Sequence, residues 1–74
     1  MKFTKLKSGV NAEWKATTDK ATFFINKSTT PNLGIVSYQV IVCFENDSMK
    51  YLADNLQYLK DAKAVAENKL KELS

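Results

Sequence analysis

The sequence predicts an α+β domain, a three- or four-stranded antiparallel meander followed by one long C-terminal helix packed on the sheet, and three observations predict it. Residues 35 to 44 alternate with the period of a strand: Val36, Tyr38, Val40, Val42 and Phe44 fall on one side, Ile35, Ser37, Gln39, Ile41 and Cys43 on the other. Residues 49 to 73 repeat with the period of a helix: Met49, Leu52, Leu56, Leu59, Ala66, Leu70 and Leu73 fall on steps of three and four, with Lys63 in the place of one apolar residue. Charge is also segregated. Residues 1 to 27 hold six lysines against two acids, residues 28 to 44 hold no charge, and residues 45 to 74 hold five lysines against six acids.

Taken in order, Lys2 to Ser8 and Ala12 to Thr17 read as two short strands separated by turn chemistry at Gly9 to Asn11. Asp19-Lys20 marks a tight hairpin turn before the aromatic run Ala21 to Lys27, in which Phe23 and Ile25 share one face and Phe24 takes the other. Ser28 to Gly34 collects serine, threonines, Pro31, Asn32 and glycine, and predicts a loop. Ile35 to Phe44 is the clearest strand, rich in β-branched residues and free of the lysines that guard a sheet edge; its two largely apolar sides predict a central strand covered on both faces for part of its length. Asn46, Asp47 and Ser48 then offer N-caps for a helix over residues 48–73. No proline or glycine follows Gly34, so that helix is free to run unbroken for about 39 Å. The alternative is a break near Asn55 or at Lys60-Asp61, with Asp61 capping a second helix.

At 74 residues and 8.4 kDa the chain predicts a single domain over 1–74, with a β region over 1–45. It has no histidine, no arginine and one cysteine, Cys43, which removes histidine-based nucleophilic catalysis, an internal disulfide framework and a cysteine-built zinc site. Two glycines cannot form a phosphate-cradling loop. Asp54 and Asp61, seven apart on a helix, would sit about 10.5 Å apart along its axis, too far for a concerted acid–base pair. We therefore expect no enzyme, no cofactor and no metal, with Cys43 acting as a buried small hydrophobe. No apolar run reaches the roughly 18 residues of a membrane span, and a soluble, cytoplasmic chain is the expectation.

Two interaction surfaces are predicted. A 39 Å helix outruns a strand of about 17 to 20 Å, so its far end, with Val65, Ala66, Leu70 and Leu73, is expected to meet a partner protein or a second copy of the chain, with Tyr51 and Tyr58 on its flank as contact aromatics. The alternative is nucleic acid held by Lys2, Lys5, Lys7, Lys15, Lys20 and Lys27, which are interleaved with Phe3, Trp14, Phe23 and Phe24. The missing arginine and the net charge of only +3 weigh against it.

The segment Leu59-Lys60-Asp61-Ala62-Lys63-Ala64-Val65-Ala66-Glu67 resembles the tails of small accessory proteins encoded by bacteriophages and prophages. In those, a β-meander precedes a helix with a Leu-x-x-Ala-Lys-x-x-Ala-Glu pattern. The resemblance implies a non-enzymatic product in the host cytoplasm, acting on a host protein through its surface. It assigns no functional residue.

Overall fold

A computed structural model describes residues 1–30 and 32–74; Pro31, within the predicted loop, lies outside the described residues. Among the described residues, five strands and one helix follow in the order β1 (Thr4–Lys7), β2 (Glu13–Thr17), β3 (Thr22–Thr30), β4 (Ile35–Cys43), β5 (Met49–Leu56) and α1 (Leu59–Leu73). The strands form one antiparallel meander in sequence order, β1-β2-β3-β4-β5. The α+β class is as predicted, with five strands in place of three or four.

The predicted hairpin turn at Asp19-Lys20 is present. Its hinge is Thr18, whose hydroxyl donates to the Ala21 carbonyl (2.7 Å) and accepts from the backbone N–H groups of Lys20 and Ala21 (3.2 and 3.1 Å). A threonine hydroxyl closing its own turn in this way replaces backbone pairing that the sharp reversal removes. The predicted loop from Ser28 begins later than expected. β3 continues to Thr30, because Ser28, Thr29 and Thr30 pair with Ser37, Val36 and Ile35 and suit an extended backbone as well as a turn.

The largest correction concerns residues 48–58. The predicted helix over 48–73 begins only at Leu59, and Met49–Leu56 is a strand. The connection falls at residues 57–58, between the two positions offered as alternatives, and the segment before it is a strand, not a helix. Asn46, Asp47 and Ser48 close the β4–β5 turn instead of capping a helix. Asn46 Oδ1 accepts from the Ser48 hydroxyl (2.6 Å) and backbone N–H (3.2 Å), and the Phe44 N–H donates to the Ser48 carbonyl (2.9 Å). The same side-chain oxygens serve caps and turns, so their presence alone does not choose between them.

Met49 to Leu56 consists largely of good helix formers, and pairing with the free edge of β4 overrides that preference. Two register shifts, one at Leu52 and one between Ala53 and Leu56, insert extra residues into β5. They carry Leu52, Ala53 and Leu56 to the helix-side core, reproducing in a strand the three-and-four spacing that reads as helical. Asn55 accordingly takes a left-handed backbone (φ 56°), as does Asp47 in the turn (φ 65°). Asn55→Val is expected to lower stability by about 1–2 kcal/mol, because a β-branched residue is strained there, while Asn55→Gly stays near wild type. Urea denaturation checks this; equal midpoints for both variants would contradict the strand ending drawn here.

α1 covers one face of β3, β4 and β5, and its Ala62 and Ala66 are fully buried against a core of Ala21, Phe23, Ile25, Val40 and Val42. Small residues at i and i+4 let the helix approach the sheet closely. Leu59, Val65, Leu70 and Leu73 flank this contact, and Phe3 and Trp14 pack against the same core. Among the described residues the opposite face of the sheet carries no second layer, so β4 is covered on one face and not on two. Among the described residues, no helix is long and apolar enough to cross a membrane.

The paired strands also differ in reach. β2 pairs with β3 only as far as Glu13 with Asn26, and β5 pairs with β4 only as far as Leu56 with Tyr38. Residues 28–30 and 35–37 therefore continue as a two-stranded ribbon beyond the last β2 and β5 pairs, tied to the segment before β2 by the Thr29 hydroxyl, which donates to the Val10 carbonyl (3.2 Å), and the long axis of the molecule is 40 Å against 21 and 20 Å.

Candidate functional site

The 15-residue helix is about 22 Å long, whereas nine-residue strands such as β3 and β4 extend about 30 Å. The strands outrun the helix, the reverse of the relation expected from the sequence. Its apolar seam is consumed by its own sheet: Ala66 is fully buried and Leu70 and Leu73 pack against the core. Self-association through a projecting helix end therefore loses its structural basis. Of the predicted contact residues, Val65 is half-buried on the margin of the helix. Tyr58 is 58 % exposed just before the helix, with Lys60 Nζ 5.6 Å from its ring centroid, and Tyr51 is 61 % exposed on β5. These residues do not form one surface.

The six N-terminal lysines are also divided. Strand alternation puts Lys5, beside Trp14, and Lys27, beside Tyr38, on the helix side of the sheet. Lys5 Nζ lies 5.6 Å from the Trp14 ring centroid, and that ring packs against Tyr38 at 6.0 Å. Lys15 pairs with Phe24 on the uncovered face, its Nζ 5.8 Å from the ring centroid. Lys7 pairs with Glu13, Lys20 sits in the β2–β3 turn and Lys2 precedes β1. Phe23 is in the core, so the aromatics and lysines that alternate in sequence do not assemble one basic platform.

What the sheet does assemble is its uncovered face. Pairing aligns Lys15, Phe24, Ile41 and Tyr51 in one row across β2 to β5, with Thr17, Thr22, Cys43 and Met49 in the next. Below them lie Asn26 with Gln39 and Ser28 with Ser37, and Ile35 follows on the ribbon. Neighbouring side chains leave Ile41 only 7 % exposed, while Ile35, Met49 and Tyr51 remain more than half exposed. Cys43 is half-buried here, not enclosed as expected, and borders a depression of about 480 Å3 between the β2–β3 and β4–β5 turns. Asp54 lies in β5 and Asp61 in α1, so the two carboxylates do not share a helix. Among the described residues, no group of three or more cysteine and carboxylate side chains converges as a metal site would.

A second feature borders this face. A groove of about 380 Å3 runs between β5 and α1, lined by Lys50, Tyr51, Leu52, Val65, Asn68, Lys69 and Glu72. Two of the sequence-predicted contact residues, Tyr51 and Val65, line it. Lys50 and Lys69 were not singled out, because the assignment of 49–56 to helix hid the edge strand on which Lys50 lies.

The chain matches no protein-family profile, no curated protein and no solved structure.

Proposed function

We propose that the chain is a small non-enzymatic protein-binding module that modulates its partner by occluding part of the partner's surface. The observation that carries this reading is the uncovered sheet face, where exposed Tyr51, Met49 and Ile35 and half-buried Phe24 surround buried Ile41 on one side of the sheet, with no second layer over them among the described residues. Apolar and aromatic residues concentrated on one uncovered face, with uncharged Asn26, Gln39, Ser28 and Ser37 beside them, have the composition of a contact surface. The phage-type likeness of Leu59–Glu67 supports a host protein as the partner, encountered in the host cytoplasm.

The test uses the full chain as immobilised bait in a lysate of the source cell, beside a Tyr51→Asp variant with the same melting temperature. A protein retained by the wild type and lost with the variant is the expected result. An identical set on both baits, or release of everything by nuclease, would overturn the reading.

Lys15 over Phe24 favours one second reading, single-stranded nucleic acid stacked on the same face. Fluorescence anisotropy with single- and double-stranded oligonucleotides at about 50 mM salt decides it, since release of counterions makes such binding strongest at low salt. The protein-binding reading expects no binding there. Binding that weakens steeply with salt and disappears in Lys15→Glu would replace it with the second.

A further inference from the structure

We propose that the groove between β5 and α1 takes an extended, acidic segment of a partner protein, which adds to the sheet as a sixth strand along Met49–Leu52. This names the partner chemistry for the protein-binding reading and rests on that reading.

β5 is the last strand of the sheet and pairs only with β4, so its outer backbone groups have no strand beside them. An unpaired edge is a template for a further strand. Lys50 pairs with Val42 and lies on the helix side, whereas Tyr51 pairs with Ile41 and lies on the uncovered side. A groove that touches Lys50, Tyr51 and Leu52 in succession therefore follows the strand's outer edge, and α1 supplies its other wall through Val65, Asn68, Lys69 and Glu72. The register shift at Leu52 ends the regular part of the edge, which limits pairing to about three or four residues of the incoming segment, roughly 10–13 Å. Among the described residues, α1 packs against β3, β4 and β5 and does not wall the other outer strand, β1.

The charge of the groove selects the occupant. Lys50 has no carboxylate within ion-pairing distance among the described residues. Lys69 has one partner, Glu72, at 3.8 Å, and that carboxylate is mostly exposed. Two ammonium groups against one carboxylate favour glutamate or aspartate at alternate positions of the added strand, those facing the helix. A second copy of the chain docked edge to edge would instead bring Lys50 and Lys69 of both copies to one seam, where like charges oppose each other.

The experiment titrates the isotope-labelled full chain with a capped seven-residue peptide that alternates valine and glutamate, followed by amide NMR shifts. Three controls accompany it: the valine–lysine counterpart, the acidic peptide N-methylated at alternate residues, and a Lys50→Glu, Lys69→Glu double variant whose melt and spectrum show that it is folded. The acidic peptide is expected to shift the amides of Met49–Leu52 and of Val65, Asn68 and Lys69. N-methylation should weaken binding at least about tenfold, and the double variant should prefer the basic peptide. No shift at millimolar acidic peptide, or equal binding of its N-methylated form, would overturn strand addition. Shifts centred on Phe24 and Ile41 would overturn the groove while leaving the uncovered-face reading intact. Groove shifts that follow the protein's own concentration would put a second copy there and overturn the proposal.

Discussion

Phe23→Ala is expected to lower the free energy of unfolding by about 3–5 kcal/mol, a large part of the 5–15 kcal/mol typical of a folded domain. Phe23 is fully buried between the sheet and α1, paired with Ala16 on one side and Val42 on the other, so truncation leaves a hole that a small core cannot close. Phe24, the next residue, points to the uncovered face and is half-buried. Phe24→Ala is expected to cost about 1 kcal/mol, within the ordinary range for point substitutions. A one-residue slip of β3 would exchange the two side chains, so the pair of variants tests the register directly. Urea midpoints measure both. Equal losses, or a larger loss for Phe24→Ala, would contradict the alignment of Phe23 with Val42.

Ala66→Leu is expected to destabilise by about 1–3 kcal/mol, because Ala66 has no exposed surface and the added side chain must displace the sheet beneath it. Ala64→Leu, on the exposed side of the same helix, is expected to stay within about 0.5 kcal/mol. The contrast also separates this packing from the projecting-helix arrangement read from the sequence. There, Ala66→Leu would enlarge an apolar contact and tighten association. Thermal melts at two protein concentrations distinguish the cases: a lower melting temperature independent of concentration fits the packing described, and a higher, concentration-dependent one contradicts it.

The strands whose sequence has a single physical reading were legible. Val40 and Val42 alternate with Ile41, and Phe23 and Ile25 with Phe24, because burial on one face imposes period two, and those residues occupy the faces expected. Thr18-Asp19-Lys20 carries turn chemistry that no neighbouring element competes for. β5 was not legible, because the apolar spacing and most residues of Met49–Leu56 favour helix and the decisive term, the unpaired edge of β4, is a long-range one. The error spread to the site. A helix over 48–73 placed Tyr51, Tyr58, Ala66 and Leu73 on one rod, whereas the fold puts Tyr51 on a strand, Tyr58 in a connection, and Ala66 inside the core. Segregation of charge proved informative in a way composition alone did not specify. The uncharged stretch 28–44 includes the end of β3 and all of β4, which carry about half of the uncovered face.

The ribbon beyond Lys27 and Tyr38 behaves as a cantilever. A two-stranded hairpin is marginal on its own, so amides at its outer end are expected to exchange faster than those of the roofed strands. Leu33, Ile35 and their neighbours are thereby released from the volume constraints that hold Phe23 and Val42. The overhang's side chains are therefore expected to tolerate substitution one by one while the anchored portion stays as it is.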